Sequence, residues 1–261
     1  MTDVRAITEV LGADKSAPRT SYRAVVERLA SVQKSGRGAP GYSRWVNRRL
    51  GRYIAAWAYL RALTPNQVTA ISACLTFTGI AGLALMRPSA PLAIAIVALL
   101  LAGYAFDSAD GQLARLRGGG TPAGEWLDHV VDSVKSSALH LAVVVGWFRY
   151  YDLSHAAYLL IPLAYALVSA VFFFSVILSE QIRRARKTNA TTTTAPAHEP
   201  APILRSILVL PADYGVLCLA FMLWFSDAAF VIVYTALLAA NVYFLLGGLR
   251  NWFREMSRLT S

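Results

Sequence analysis

Residues 105–135 read AFDSADGQLARLRGGGTPAGEWLDHVVDSVK and set four aspartates, Asp107, Asp110, Asp128 and Asp132, at the facing ends of two long apolar runs. A carboxylate at the centre of a membrane helix costs about 2.5–3.5 kcal/mol on insertion scales. Four in one neighbourhood therefore demand a reason, and what surrounds them decides both fold and chemistry.

The surroundings are apolar. The chain has 261 residues, 56% of them hydrophobic, with a mean hydropathy of +0.46, which points to a polytopic membrane protein rather than one soluble core. Its net charge of +10 lies almost wholly outside the apolar runs. Such a surplus fits the positive-inside bias and attraction to anionic lipid. No recognition motif accompanies it, so no nucleic-acid partner is expected. Cys74 and Cys218 sit inside apolar runs without paired spacing and read as small apolar residues, neither disulfide nor zinc ligands.

About 20 helical residues span a bilayer. Six runs are long enough: 67–87, 91–115, 122–148, 153–180, 205–225 and 228–249. Ahead of them, YSRWVNRRLGRYIAAWAYLRAL mixes Arg44, Arg48, Arg49 and Arg52 with Trp45, Tyr53, Trp57 and Tyr59, the composition of an amphipathic helix lying in the interface. Residues 1–40 lack the apolar stretch of a signal peptide. A short amphipathic helix over SYRAVVERLASVQK is the one element expected there. With a cytosolic N-terminus the outer loops hold only Arg87 and Arg149. The inner segments hold Arg115, Arg117, Arg183, Arg184, Arg186, Lys187, Arg250, Arg254 and Arg258. Both termini are therefore expected in the cytosol, at the cell membrane. The expected organisation is a flexible cytosolic extension over 1–40, an interfacial helix over 41–62, a six-helix transmembrane domain over 63–250 and a cytosolic tail over 251–261. The fold class is all-α integral membrane.

On this map the second run enters the turn RGGGTPAG and the third leaves it, so the two pairs of aspartates overlap in depth. Asp107, Asp110, Gly111, Ala114 and Arg115 recur at i, i+3, i+4, i+7 and i+8, one helical face; Gly124, Asp128 and Asp132 recur at i+4 steps. As bare anions they would repel one another, so either some are protonated or cations sit between them. All-oxygen ligation suits Mg²⁺ or Mn²⁺ rather than zinc, and two such ions can clamp a pyrophosphate.

The spacing Asp107-x2-Asp110-Gly111-x2-Ala114-Arg115-x8-Gly124-x3-Asp128-x3-Asp132 resembles the signature of the CDP-alcohol phosphotransferase family at each of its eight named positions. LTPNQVTAIS, with Pro65, Asn66 and Thr69, is similar to the opening of that family's first span, and SRWVNRRLGR to its interfacial segment. The resemblance implies a membrane-embedded transferase that moves a substituted phosphoryl group from a CDP-linked donor to an alcohol and releases CMP. It further implies that Asp107, Asp110, Asp128 and Asp132 hold a two-metal site, with Asp132 also the base for the acceptor hydroxyl. Gly111 and Gly124 would admit the cytidine, and Asn66, Thr69, Ala114 and Arg115 would help bind the nucleotide. Homodimers are common in the family.

Other readings compete at particular residues. Ion-paired helix packing would need more cations than Arg115, Arg117 and Lys135 supply. An ion or proton transporter would place its acids nearer the midplane, and a non-catalytic lipid-binding relative would have lost part of the signature. His129 directly follows Asp128, as in the choline and ethanolamine branch of the family, where it is a candidate base; a packing role is the alternative. Lys135 is expected either as an acceptor contact or as an ion-pair partner of Asp132 or Asp128. Arg183, Arg186 and Arg205 form a basic rim that is a candidate acceptor contact. Asp213 either binds substrate or caps a bend after Pro211, while His140 and His155 read as structural. The expected reaction is transfer of a phosphatidyl group from CDP-diacylglycerol to a polyol or polyol phosphate in phospholipid biosynthesis. The alternative is head-group transfer from a soluble CDP-alcohol to a lipid hydroxyl.

Overall fold

The computed structural model describes residues 21–31, 40–189 and 203–258, and every element among them is helical. In chain order they are α1 (Tyr22–Ser31), a π-helical turn (Ser43–Asn47) leading into α2 (Arg48–Leu60), α3 (Pro65–Leu85), α4 (Ala90–Leu116), α5 (Pro122–Tyr150), α6 (Leu160–Asn189), α7 (Ile203–Leu208), α8 (Tyr214–Ala220) and α9 (Asp227–Arg258). Among the described residues, five segments are long and apolar enough to cross a membrane: α3, α4, α5, the stretch Ala156–Arg186 and α9. Such a set fits a multi-pass membrane protein.

Local sequence explains where these helices begin. Thr64 caps α3 by accepting from the Gln67 backbone N–H at 3.2 Å, while the Gln67 side chain accepts from Thr64 N at 2.8 Å. Two of the otherwise unpaired first-turn donors are satisfied reciprocally. Pro65 fills the first helical position, where no N–H is needed. Ser89 and Thr121 cap α4 and α5 by accepting from Leu92 N and Gly124 N, with Pro91 and Pro122 in the first turns. Between α4 and α5, Gly118 and Gly119 take φ values of 96° and 127°, a region that costs a side chain dearly. The turn is tight for that reason, and it brings the aspartate-bearing ends of the two helices together.

The expected fifth crossing, 205–225, is not one long helix. It breaks into α7, a 3-10 turn over Leu210–Ala212, α8 and a second 3-10 turn over Phe221–Leu223. Pro211 supplies no N–H, and Asp213 restarts the helix by accepting from Gly215 N at 2.9 Å. The other oxygen of Asp213 accepts from Ser43 N at 2.9 Å and ties the break to the π-helical turn. Arg44 adds a bond to Ser206 at 3.1 Å. Of the two roles considered for Asp213, capping is the one its hydrogen bonds fill.

The extension over 1–40 was expected to be flexible, yet α1 packs onto α2. Val25 and Leu29 are fully buried with Ala55, Ala56, Ala58, Val68, Ala109 and Leu113. Residues 1–20 and 32–39 lie outside the described residues. Gly51 on α2 lets that helix press against α4: a Cβ there would lie 2.7 Å from Ser108 Oγ and 2.8 Å from Gln112 Nε2. At the other end, α9 continues to Arg258, through most of the expected tail.

The remaining core lies at the end of the bundle away from the aspartates. Trp147, Tyr151, Trp224, Phe230 and Tyr234 are packed ring against ring, with centroids 5.1 Å apart for Tyr151 with Trp224 and for Trp224 with Phe230. His140 is buried midway, bonded through Nδ1 to Tyr234 Oη at 2.5 Å and through Nε2 to Ser169 at 2.9 Å. It is structural, as expected. Cys74 and Cys218 are free thiols.

Candidate active site

Asp107 lies nine residues before the end of α4 and Asp132 ten residues after the start of α5. At 1.5 Å per residue both sit roughly 14–15 Å from the turn, while Asp110 and Asp128 both sit about 9 Å from it. Matched depth on facing helices lets the side chains converge. One oxygen each from Asp107, Asp128 and Asp132 lies within 4.8 Å of the others, and all three side chains are partly buried.

Asp110 is not in that trio. It is only 5% exposed, and its Oδ2 accepts from the Thr69 hydroxyl at 2.6 Å. Thr69 also donates to Pro65 O at 3.1 Å. The carboxylate is thus held from α3, one turn from the trio. Both Asp110 and Thr69 were expected to touch metal or nucleotide directly, and in this geometry each is first of all the other's partner.

Lys135 settles between its two expected roles. Its ammonium donates to Asp107 Oδ1 at 2.6 Å, to Asp132 Oδ1 at 3.1 Å and to Ser72 Oγ at 3.0 Å. Three protons meet three acceptors on three helices. The partners are Asp107 and Asp132; the expectation had named Asp132 or Asp128. Ser72 in turn donates to Gly103 O at 2.8 Å, which fixes the side on which it accepts.

A cleft of about 210 Å³ opens beside the trio, lined by Arg48, Asp107, Ser108, Asp110, Gly111, Gln112, Arg115 and Asp128. Arg115 Nε is buried there without a hydrogen-bond partner, so a phosphate oxygen entering the cleft would meet an unsatisfied donor. A Cβ on Gly111 would approach only Arg115 Nη1, at 3.4 Å. One on Gly124 would lie 3.0 Å from Asn66 Oδ1, which places Asn66 and Gly124 side by side. Ala114 is half-buried on the face of α4 that carries Gly111 and Arg115. Arg48, Ser108 and Gln112 were not foreseen as lining residues. Ser108, between two named aspartates, was the readable one. Arg48 comes from α2 and is brought in by the Gly51 contact, with Gln112 Nε2 donating to Arg48 O at 3.2 Å.

The remaining expected residues lie on the rim. His129 Nε2 is 3.6 Å from Glu125 and its Nδ1 3.9 Å from Asp128. Arg183 grips Glu255 with two bonds, of 2.6 and 2.9 Å. Arg184 pairs with Glu125 and Glu180. Arg186 is exposed, and the side chain of Arg205 lies outside the described residues. The basic rim is thus partly neutralised by glutamates of α5, α6 and α9.

The donors fit a hard divalent cation. All are carboxylate oxygens, they lie within one ion's reach of each other, and an ammonium already rests against two of them.

A phosphatidylinositol phosphate synthase of Corynebacterium glutamicum is 41% identical over 97 residues, a stretch covering 36% of this chain and 41% of that protein's length. Two crystal structures of the Mycobacterium tuberculosis phosphatidylinositol phosphate synthase also match. One, in complex with manganese and citrate, has 20% identity, a TM-score of 0.49 and coverage of 77% of this chain and 87% of that one. The other, with CDP-DAG bound, has 22% identity, a TM-score of 0.49 and coverage of 80% and 94%. The model of one family matches residues 62–249. That match takes in all four aspartates and the helices that carry them, and the chain belongs to the CDP-alcohol phosphatidyltransferase family.

Proposed function

We propose that this protein transfers a phosphatidyl group from CDP-diacylglycerol to the hydroxyl of a polyol or polyol phosphate, releasing CMP. The observation that carries the reading is the convergence of Asp107, Asp128 and Asp132 beside a cleft with an unsatisfied arginine, in a chain of this family. The name of the Corynebacterium relative makes a phosphorylated inositol the first acceptor to try.

Asp107, Asp128 and Asp132 would hold divalent ions, Mg²⁺ or Mn²⁺, which when bound draw charge off the donor pyrophosphate. Asp110, steadied by Thr69, completes the carboxylate set from one turn away. The cytidine end of the donor enters past Gly111 and Gly124, and Arg115 with Asn66, Ala114 and Thr69 borders it. The acceptor oxygen attacks the phosphorus that bears the diacylglycerol, and the bond from that phosphorus to the bridging oxygen breaks. CMP leaves with the bridging oxygen. Asp132 takes the hydroxyl proton; Lys135 occupies its Oδ1 and leaves Oδ2 for that work. Position matters more here than basicity. Arg186 and Arg205 are the rim residues assigned to the acceptor, and Arg183 would have to leave Glu255 to join them.

In the same reading the broken segment 203–223 makes a sixth crossing, and α2 lies in the interface with Trp45, Tyr53 and Trp57 exposed. The aspartates and both termini face the cytosol at the cell membrane. A homodimer is the expected assembly.

His129 beside Asp128 favours a second reading, in which a soluble CDP-alcohol donates its head group to a lipid hydroxyl. CMP release by purified protein in nanodiscs with Mg²⁺ separates the two. CDP-diacylglycerol with a polyol panel is compared with CDP-choline or CDP-glycerol plus diacylglycerol. CMP from CDP-diacylglycerol alone is expected. CMP only from a soluble donor would move the protein to the second reading. No CMP from any donor would reopen transport and lipid binding.

A further inference from the structure

Lys135 is unusual for a charge in this position. It is 7% exposed, it stands one helical turn beyond Asp132 on the same helix, and each of its protons is spoken for. Its ammonium is shared by two carboxylates, from α4 and α5, with Ser72 of α3 closing the set. Two of the three carboxylates proposed as metal ligands thus carry a permanent positive charge at contact distance. A fixed ammonium beside Asp107 and Asp132 therefore both repels a dication seeking those same oxygens and supplies some of the neutralisation it would bring.

We propose that Lys135 is a resident cation of the acid cluster: its ammonium takes a place that a second divalent ion would otherwise fill, so that the nucleotide-free site binds one ion. This rests on the reading of Asp107, Asp128 and Asp132 as metal ligands. Lys135 in this role is a positioning residue. It holds Oδ1 of Asp107 and Oδ1 of Asp132 and leaves the second oxygen of each for a ligand.

The test counts metal and does not depend on turnover. Free Mn²⁺ is measured by electron paramagnetic resonance during titration of the nucleotide-free protein in nanodiscs. Wild type, Lys135→Met, Lys135→Arg and Asp128→Asn are compared. The expected result is about one tight Mn²⁺ for wild type and for Lys135→Arg. Lys135→Met should take about two, with dipolar broadening from a nearby pair. Two tight ions in wild type would overturn the proposal without recourse to any variant. So would one ion in a folded Lys135→Met. If wild type binds Mn²⁺ and Asp128→Asn does not, the metal site stands, and the Lys135 variants judge this proposal alone. No tight Mn²⁺ in wild type would overturn the metal reading itself and this proposal with it.

Discussion

The two ends of α5 obey opposite rules. From Leu139 to Tyr151 it is held by shape: Leu139, Val143 and Trp147 are fully buried, and Trp147 packs against Tyr151, Phe230 and Tyr234. From Asp128 to Lys135 it is held by charge, with carboxylates that face one another and an ammonium between two of them. Apolar packing at the first end gains from every buried area and asks nothing of a ligand. Like charges gathered at the second end are costly unless a cation or substrate completes them. A chain arranged for stability alone would place apolar residues at both ends. The contrast supports the proposal that the chemistry is at the aspartates and that the aromatic end holds α3, α4, α5 and α9 in register.

Substitutions at the two ends should therefore fail differently. The largest effect is expected from Asp132→Asn, which keeps shape but removes the proposed proton acceptor. CMP release should fall at least about 100-fold, the usual contribution of a general base, with the melting temperature little changed. A comparable loss of melting temperature would instead make Asp132 a structural residue. Trp147→Ala should do the reverse. Removing a fully buried tryptophan costs about 3–5 kcal/mol, read by unfolding in detergent, while CMP release per folded molecule stays as in wild type.

Thr69→Val sharpens the comparison because it touches both rules. It strips a hydroxyl from a carboxylate that is almost fully buried, at a cost of about 1–3 kcal/mol, and should also raise the KM for the donor. Unchanged KM with lowered stability would separate Asp110 from the cleft's function. The smallest effect is expected from Arg183→Gln. Its pair with Glu255 is partly solvent-exposed, so stability should change by less than about 1 kcal/mol. Any rise in acceptor KM would then report contact with the acceptor.

Much of this arrangement was written in residue spacing. The i+3 and i+4 recurrence of the aspartates and the glycine-rich turn fixed their shared depth, and Thr64-Pro65 and Thr121-Pro122 marked helix starts where they occur. Other features follow from contacts that spacing does not encode. The apolar run 205–225 is continuous in hydropathy, so its break was hidden. Only Pro211-x-Asp213-x-Gly215, a missing N–H followed by a capping carboxylate, gave a local sign of it. Asp110 and Asp107 share a helical face, and nothing in that face says that Thr69, from another helix, takes Asp110 aside. Lys135 reaches Asp107 across 28 residues of sequence, a pairing set by how closely α4 and α5 pack. The docking of α1 was likewise unreadable, since its partner surface exists only once α2 and α4 are assembled.

We assign the proposed phosphatidyl transfer to the charged end of α5. The most direct test is to follow CMP and new phospholipid together, from CDP-diacylglycerol and a polyol acceptor, in nanodiscs of wild-type and Asp128→Asn protein matched for folded content. That assignment predicts CMP and phospholipid in equal amounts from wild type, and neither above background from Asp128→Asn. Equal CMP from both proteins, or CMP without phospholipid, would contradict it.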